Sequence, residues 1–335
     1  MAMRRLIACL LFLAAAGAAR DLEVYFVDVE GGQATLVVAP SGESLLIDTG
    51  WPGFNQRDAN RIAAAAKAAG VKKIDYLVIT HYHSDHVGGV RQLAAKLPIA
   101  NFIDHGPNVE HTPEVDGLFQ GYEEVRAKGK HIQVKPGDTI PLKGVDVQVV
   151  AAGGETISSP LPGAGQPNPD CSTFKERDPD PTENAQSVGL VISSGDFRMV
   201  DLGDLTWNKE YNVVCPNNKV GAADLFVVSH HGMNLSDSPQ LVHALRPRVA
   251  IFDNGATKGG SVEVLQTVRA TPGVDDVWQL HYAVDAPKAL NAADTFIANV
   301  DQACQGKWLK LTVQKDGSFS IVNARNKYEK TYSRR

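Results

Sequence analysis

Three histidines and one aspartate lie within the six residues from His81 to His86. The apolar run before them, 74–80, is short and rich in β-branched and aromatic residues, which predicts a buried strand. Beyond a strand, alternate positions face the same way, so His81 and His83 can bind one ion while Asp85 and His86 hold a second. Imidazole and carboxylate ligands suit zinc or a similar divalent cation, and paired cations of this kind catalyse hydrolysis. The alternative interpretation is a polar turn with hydrogen-bonded histidines, but packing gives no reason for that composition.

The N-terminal residues have the pattern of a secretory signal peptide. Arg4 and Arg5 precede the apolar run 6–16, which is too short to span a membrane, and small residues follow it. We therefore predict a signal peptide over 1–19, cleaved after Ala18 or Ala19, and a periplasmic or secreted mature chain without a membrane span. Cys9 could imitate a lipoprotein acceptor, but few apolar residues precede it.

Charge and cysteine content limit the functions of the mature chain. Removing Arg4 and Arg5 from the 33 basic residues leaves 31 against 38 acidic ones, a net charge of −7. A global positive field for nucleic acid is therefore absent. Three cysteines remain, an odd number for an oxidising compartment, and none lies in a CxxC pair that would indicate thiolate ligation of a metal. Cys171 and Cys215 could form a disulfide, which would leave Cys304 free.

Strand-like and helix-like segments occur in two similar rounds. The first round has strands at 22–29, 33–39, 44–48, 74–80, 99–104 and 145–151, with helices at 56–69, 87–97 and 113–128. The second has strands at 187–193, 197–202, 224–229 and 249–253, helices at 239–245 and 261–270, and a closing hairpin over 308–322. Between the rounds, 152–182 is rich in Gly, Pro, Ser and Asp, which is typical of an irregular insertion or lid. Two sheets, each followed by helices, predict an α/β fold, a four-layer αβ/βα sandwich over 20–335, with the metal site in a crevice at one edge.

Over nearly the whole mature chain, these patterns resemble the metallo-β-lactamase superfamily. Within it, the resemblance is strongest to the hydrolase domain of bacterial DNA-uptake competence proteins and its stand-alone relatives. The matching segments are 26–29 with 31–34, 46–50, 81–89, 184–191, 203–204 and 227–232. The resemblance implies the metallo-β-lactamase fold and a metal-dependent hydrolase.

The resemblance also implies two metal sites that share one carboxylate. Their ligands would be His81 and His83 at one site, Asp85 and His86 at the other, Asp204 as the bridge and His230 as the last ligand. A carboxylate can bridge two ions about 3.5–4 Å apart. The alternative for Asp204 is an N-cap of a helix near Trp207, and both roles are compatible. His231 is expected to face the substrate or to support a ligand, and Asp48 to orient a ligand histidine, unless it only ends a strand.

One feature of many superfamily hydrolases is missing. They supply another histidine between the second motif and the bridging aspartate, where this chain has Asn-Ala-Gln-Ser at 184–187. The competence group also lacks that histidine, and its loss counts against a β-lactamase. The first ion would then have only His81, His83, Asp204 and water. His105 could substitute, or it could be a solvated loop histidine.

The predicted hydrolysis depends on water bound to the divalent cations. A divalent ion lowers the pKa of bound water from about 15.7 towards about 7. Asp85 or Asp204 could hold the proton of that water, and His231 or His281 could donate one to the leaving group. The loop 253–261 has glycines and Lys258 at the start of a helix, where free backbone N–H groups could bind a phosphate, although such loops are also plain turns.

The sequence therefore predicts a secreted hydrolase that uses a metal-bound hydroxide, with Asp85 and His231 as catalytic residues and zinc, or alternatively manganese, as cofactor. Its first predicted substrate class is a phosphodiester, either a nucleotide or a nucleic acid, although the acidic mature chain disfavours long DNA. The alternatives are an ester, lactone or amide hydrolase at the same metal centre, or a non-catalytic metal-binding protein. We expect a small-molecule or nucleotide substrate and no obligate protein partner.

Overall fold

The computed structural model describes residues 20–301 and 303–334. The predicted signal peptide, 1–19, lies outside this part of the chain and stays a prediction. Among the described residues, no helix is both long enough and apolar enough to cross a lipid bilayer.

The first half of the chain contains the strands and helices that its hydrophobic pattern predicts. The strands are β1 (Leu22–Phe26), β2 (Thr35–Val38), β3 (Ser44–Ile47), β4 (Ile74–Val78), β5 (Ile99–Asp104) and β6 (Lys130–Gln133). The helices are α1 (Arg57–Ala68), α2 (Ser84–Val87), α3 (Val90–Ala94) and α4 (Pro113–Arg126). Helix α4 begins after Thr112, whose hydroxyl accepts a hydrogen bond from the amide of Val115. The predicted helix at 87–97 is instead two short helices, and α2 already contains the ligand candidates Asp85 and His86.

The second half repeats the pattern and returns to the first sheet at its end. Its strands are β7 (Asp146–Ala152), β8 (Glu155–Thr156), β9 (Gly189–Ser194), β10 (Phe197–Asp201), β11 (Leu225–Val227), β12 (Val249–Phe252), β13 (Asp276–His281), β14 (Ile297–Asn299), β15 (Leu309–Val313), β16 (Phe319–Asn323) and β17 (Glu329–Tyr332). Its helices are α5 (Trp207–Val214), α6 (Pro239–Leu245) and α7 (Val262–Ala270).

The described strands form two β-sheets. Within the described residues, nine strands form one sheet in the order β17-β16-β15-β1-β2-β3-β4-β5-β6, and eight form the other in the order β14-β13-β12-β11-β10-β9-β7-β8. The neighbours from β3 to β6 are parallel, and so are those from β10 to β14. Because parallel strands end at the same edge of a sheet, the loops that follow them meet there.

Alternation along the strands divides the interior into three layers of apolar side chains. Phe26 in β1 and Val227 in β11 belong to the core that only the strands and loops of the two sheets form. Their neighbours point the other way: Tyr25 packs with helices α1 to α4, and Phe226 packs with α5 to α7. The order is therefore helix, sheet, sheet, helix, which confirms the predicted four-layer αβ/βα sandwich.

The irregular segment 152–182 is fastened to helix α5. A disulfide joins Cys171 to Cys215, the residue after α5, so the pairing we considered is present, and Cys304 is free. The guanidinium carbon of Arg177 lies 3.5 Å from the ring centroid of Trp207, and Trp207 Nε1 donates to the carbonyl of Lys175 (3.0 Å). Sequence periodicity did not predict α5. The residue before the helix is Thr206, so Asp204 is not its N-cap.

Candidate metal centre

Each candidate ligand follows the end of a parallel strand. His81 comes three residues after β4, Asp204 three residues after β10, and His230 and His231 follow β11. The backbones of His230 and His231 are left-handed, with φ of 52° and 57°. Such a conformation costs energy in residues other than glycine and is concentrated at functional sites.

Four ligand candidates form one compact set, which we call the Asp85 group: Asp85, His86, Asp204 and His231. Each residue offers a ligand atom within 4.8 Å of the other three. His86 Nε2 lies 3.4 Å from Asp85 Oδ2 and 3.3 Å from Asp204 Oδ2. His231 Nε2 lies 3.1 Å from Asp85 Oδ2 and 3.7 Å from Asp204 Oδ1. All four residues are buried.

Three further histidines lie near Asp204 or near one another, and together with Asp204 we call them the His81 group: His81, His83, Asp204 and His230. His81 Nε2 lies 3.2 Å from His83 Nδ1 and 3.9 Å from Asp204 Oδ2. His230 Nε2 lies 3.3 Å from the same Asp204 oxygen. Asp204 therefore belongs to both groups, in the position that the sequence predicts for a bridging carboxylate.

The structure reverses the expected positions of the two adjacent histidines. We expected His230 beside Asp85 and His86, and His231 facing the substrate, but His231 is the residue in the Asp85 group. His231 Nδ1 lies 3.3 Å from Asp253 Oδ1, directly after β12, whereas His230 Nδ1 lies 3.4 Å from Ser236 Oγ. The direction of each ring thus depends on a partner from another loop, which the adjacent positions in the sequence do not show. His230 remains a ligand candidate, at the His81 group.

Each histidine of the two groups has an oxygen beside its second ring nitrogen. The pairs are Thr80 Oγ1 with His81 Nδ1 (3.1 Å), Glu110 Oε2 with His83 Nε2 (2.9 Å), Asp48 Oδ2 with His86 Nδ1 (2.7 Å), Ser236 Oγ with His230 Nδ1 and Asp253 Oδ1 with His231 Nδ1. Such partners fix the orientation and tautomer of a ligating imidazole. The contact with His86 confirms that Asp48 orients a ligand candidate.

Among the described residues, three buried atoms inside the groups have no hydrogen-bond partner: His86 Nε2, Asp204 Oδ1 and His231 Nδ1. Buried polar atoms are costly unless they are satisfied, and a divalent cation between these groups would satisfy the first two. Although burial raises the pKa of Asp204, the imidazoles of His230 and His86 hold it well below its usual range, so the carboxylate is anionic. The residues therefore fit a metal, and a nitrogen and oxygen donor set without thiolate suits zinc or a similar cation.

The glycine turn 30–33 packs against the backbone of Asp85. A Cβ on Gly32 would lie 2.4 Å from the Asp85 carbonyl oxygen, so only glycine allows this approach. The amide of Gln33 donates to the same oxygen (3.1 Å), and its side chain donates to Asp201 Oδ2 (2.8 Å) in β10. The turn therefore connects α2 of the first half to the second sheet.

In the loop 253–261, the amides of Gly255, Gly260 and Ser261 donate to backbone carbonyls, so these three are not free to bind a phosphate. This favours the alternative of a plain turn. Lys258 is still placed at the site, since its Nζ contacts Asp85 Oδ2 and lies 4.8 Å from the Trp51 ring centroid.

Two other histidines considered from the sequence lie outside both ligand groups. His105 Nε2 contacts Glu183 Oε2 at 2.9 Å, so it does not replace the missing ligand. His281 Nε2 contacts Asp28 Oδ1 at 2.8 Å in a separate cluster, so it is not placed to protonate a leaving group.

Sequence reasoning missed three supporting residues. Asp253 carries a signal that could have been used, because it follows β12 as Asp48 follows β3. Glu110 and Ser236 lie in irregular segments, and nothing in their local sequence indicates a role.

Residues 27–166 match the family profile described as the metallo-beta-lactamase superfamily. Over these residues, which are less than half of the chain, the sequence resembles that superfamily, as we predicted. The profile match ends before Asp204, so the second half of the site rests on the geometry above.

The proteins to which this chain is similar include competence proteins. The chain is 26% identical over 250 residues to ComE operon protein 3 of Bacillus subtilis (strain 168), covering 70% of this chain and 28% of that protein. It is 25% identical over 245 residues to competence protein ComA of Neisseria gonorrhoeae, covering 72% of this chain and 29% of that protein. The chain thus spans less than a third of either relative. A solved structure, Tm1679, described as a metal-dependent hydrolase of the β-lactamase superfamily, aligns with a TM-score of 0.45 at 18% identity, covering 78% of this chain and 96% of that one.

Proposed function

We propose that this protein is an exported metal-dependent phosphodiesterase that acts at the two ligand groups sharing Asp204. The observation that carries the proposal is that the imidazoles of four histidines lie within 4 Å of one buried carboxylate, Asp204, with His83 beside His81. Two cations held side by side suit an in-line displacement at phosphorus, because they contact both the attacking and the leaving oxygen.

The residues of the chain divide the task of holding the cations. His81, His83 and His230 would hold one cation, and the Asp85 group would hold the other, with Asp204 shared. His230 then takes the place of the histidine that is missing at 184–187. A bound divalent cation supplies Lewis acidity and makes hydroxide available near neutral pH.

Other residues would orient the histidine rings or neutralise negative charge on the substrate. Asp48 and Asp253 hold the rings of His86 and His231 in place. Lys258, at Asp85, is placed to neutralise negative charge on a phosphoryl oxygen. Asp85 keeps its proposed catalytic role, as a ligand that positions the attacking water. His231 lies within the ligand set, so we no longer propose it as a proton donor.

Zinc is the first proposed cofactor and manganese the alternative. Export is part of the proposal because of the signal-like sequence at 1–19. The disulfide between Cys171 and Cys215 supports it, since such bonds persist in oxidising compartments.

Turnover of bis-p-nitrophenyl phosphate by protein loaded with zinc or manganese tests the proposal. We expect hydrolysis by the wild type, loss of turnover in Asp204→Ala with the fold retained by circular dichroism, and wild-type turnover in the control Asp196→Ala, in an exposed hairpin turn. Hydrolysis of a lactone or nitrocefin but not of the phosphodiester would favour the ester and amide alternative. Bound metal without turnover of any substrate would favour a binding protein.

A further inference from the structure

A cleft of about 770 Å³ opens beside the His81 group. His83 and Asn184 line the end nearest the metal centre, and Trp207 and Leu235 line the part further out. The rest of its wall comes from residues 176–182, the end of the irregular segment that the disulfide and Arg177 fasten to α5. A substrate bound at the metal centre would place its non-reacting portion here.

The charge of the cleft is negative. Four carboxylates line it, from Glu110, Glu176, Asp178 and Asp180, against one guanidinium, from Arg177. That guanidinium stacks on Trp207 and donates to the carbonyl of Asn234, so its position is already fixed.

Two of the four carboxylates have no partner within the protein. Glu110 accepts from His83, and Asp180 accepts from the amide of Thr182. Glu176 and Asp178 are exposed and form no ion pair or hydrogen bond with any other described residue. They face the cleft as uncompensated negative charges, which repel an anionic group and attract a cationic one.

Two further observations point to a ligand at this place. Asn184 is 7% exposed, and its Oδ1 has no hydrogen-bond partner within the described residues, so an acceptor is available to a donor on the substrate. Leu235 is 48% exposed at the wall and offers a surface for an aliphatic group.

We propose that the retained alcohol of the phosphodiester is an amino alcohol, a compact group that is partly aliphatic and positively charged, and that nucleotide esters are disfavoured. The inference rests on the proposed phosphodiesterase activity and names its substrate class. The metal centre would bind the phosphodiester anion while Glu176 and Asp178 attract the ammonium group.

Three substrates with the same leaving group test the inference. They are p-nitrophenylphosphorylcholine, the p-nitrophenyl ester of thymidine 5′-monophosphate, and bis-p-nitrophenyl phosphate. We expect kcat/KM for the choline ester to exceed that for the thymidine ester by about tenfold or more at low salt, and the ratio to shrink towards one at about 1 M salt because exposed charges are screened.

Charge-neutralising variants connect the preference to the cleft. The double variant Glu176→Gln with Asp178→Asn should lower the choline-to-thymidine ratio at least about threefold, whereas Asp196→Asn, a control outside the cleft, should keep the wild-type ratio. A thymidine ester cleaved as well as the choline ester, or a ratio that the double variant does not change, would overturn the inference while leaving the phosphodiesterase proposal intact. Hydrolysis of none of the three esters would overturn the proposed function, and the inference with it.

Discussion

Two places in the molecule bring similar ligand types together. The Asp85 group has a counterpart that we call the Asp28 cluster: Asp28, Glu30, His281 and Cys304. In both, four candidate ligand atoms lie within 4.8 Å of one another. Only the first is proposed to bind a cation, and the difference lies in what already neutralises the acids.

Arg61 occupies the Asp28 cluster. Its guanidinium lies 3.0 Å from Asp28 Oδ2 and 3.1 Å from Glu30 Oε1, and it contacts Cys304 Sγ at 3.2 Å. Burial and Asp28 raise the pKa of the Cys304 thiol to about 12, so the sulfur is protonated and a poor metal ligand. The Asp85 group also contacts a cationic side chain, Lys258 at Asp85 Oδ2, but among the described residues its His86 Nε2 and Asp204 Oδ1 have no hydrogen-bond partner. Convergence of ligand types is therefore not sufficient for a metal site, because a resident guanidinium can replace the metal.

The largest expected effect on stability comes from removing the Arg61 guanidinium from the Asp28 cluster. In Arg61→Ala the buried Asp28 carboxylate loses its partner, and we expect the free energy of unfolding to fall by about 3–5 kcal/mol. Zinc should then restore part of the loss by binding at the Asp28 cluster. Urea unfolding with and without zinc measures both effects, with the exposed Lys73→Ala as control. Equal zinc stabilisation of Arg61→Ala and wild type would contradict the explanation.

Separate substitutions of His230 and His231 test which of the two proposed cations each histidine binds. His231→Ala should weaken one cation and His230→Ala the other, each by about 100-fold or more, because a direct ligand matters at least as much as its supporting partner. Titration calorimetry with zinc should show two binding events in the wild type and one in each variant. The exposed His111→Ala serves as control. Two retained events in either variant would remove that residue from the ligand set.

The substitution Asp48→Asn tests whether the carboxylate beside His86 Nδ1 orients that ligand candidate. Asn can present its amide to His86 Nδ1 and favour the wrong tautomer, so we expect metal affinity and kcat to fall by about 10- to 100-fold. The same titration and a turnover assay measure these changes, with the half-buried Asp138→Asn, remote from the ligand groups, as the matched control. An unchanged affinity would mean that packing alone orients His86.

The pH dependence of metal binding tests the protonation state of one ligand candidate, His231. Burial and Lys258 lower the pKa of His231, but Asp253 and Asp204 outweigh them and raise it to about 9. The imidazolium must lose its proton before it can ligate, so zinc affinity should rise by about tenfold per pH unit from pH 7 to 9. Calorimetry in buffers of different ionisation enthalpy measures the released proton. An affinity that does not change over this range would contradict the assignment of His231 as a ligand.

Local patterns in the sequence predicted much of the fold. The short apolar runs of β1 and β11, the alanine-rich α1 and the dense ligand sequence from His81 to His86 are local signals, so their positions could be predicted to within a few residues. Helix α5 was missed because only Val213 and Val214 are apolar and buried along it, so its periodicity is weak.

The site was predictable only where its geometry is local. Asp204 was found through the motif resemblance, but its helix-cap alternative was excluded only by the backbone at Thr206. The place of His231 in the Asp85 group was not predicted, because the directions of the His230 and His231 rings depend on Ser236 and Asp253 from other loops. The acidic cleft could not be predicted, since Glu110 and Asp178 meet only through tertiary packing.

Metal content of the wild type and of Asp204→Asn tests most directly whether two cations share this carboxylate. Both proteins would be loaded with excess zinc, freed of loose metal by gel filtration and measured by mass spectrometry of the metal. We expect about two zinc ions per wild-type chain and fewer than about one in Asp204→Asn, with Asp28→Asn retaining the wild-type content. An Asp204→Asn protein with the same zinc content as the wild type would contradict the shared carboxylate.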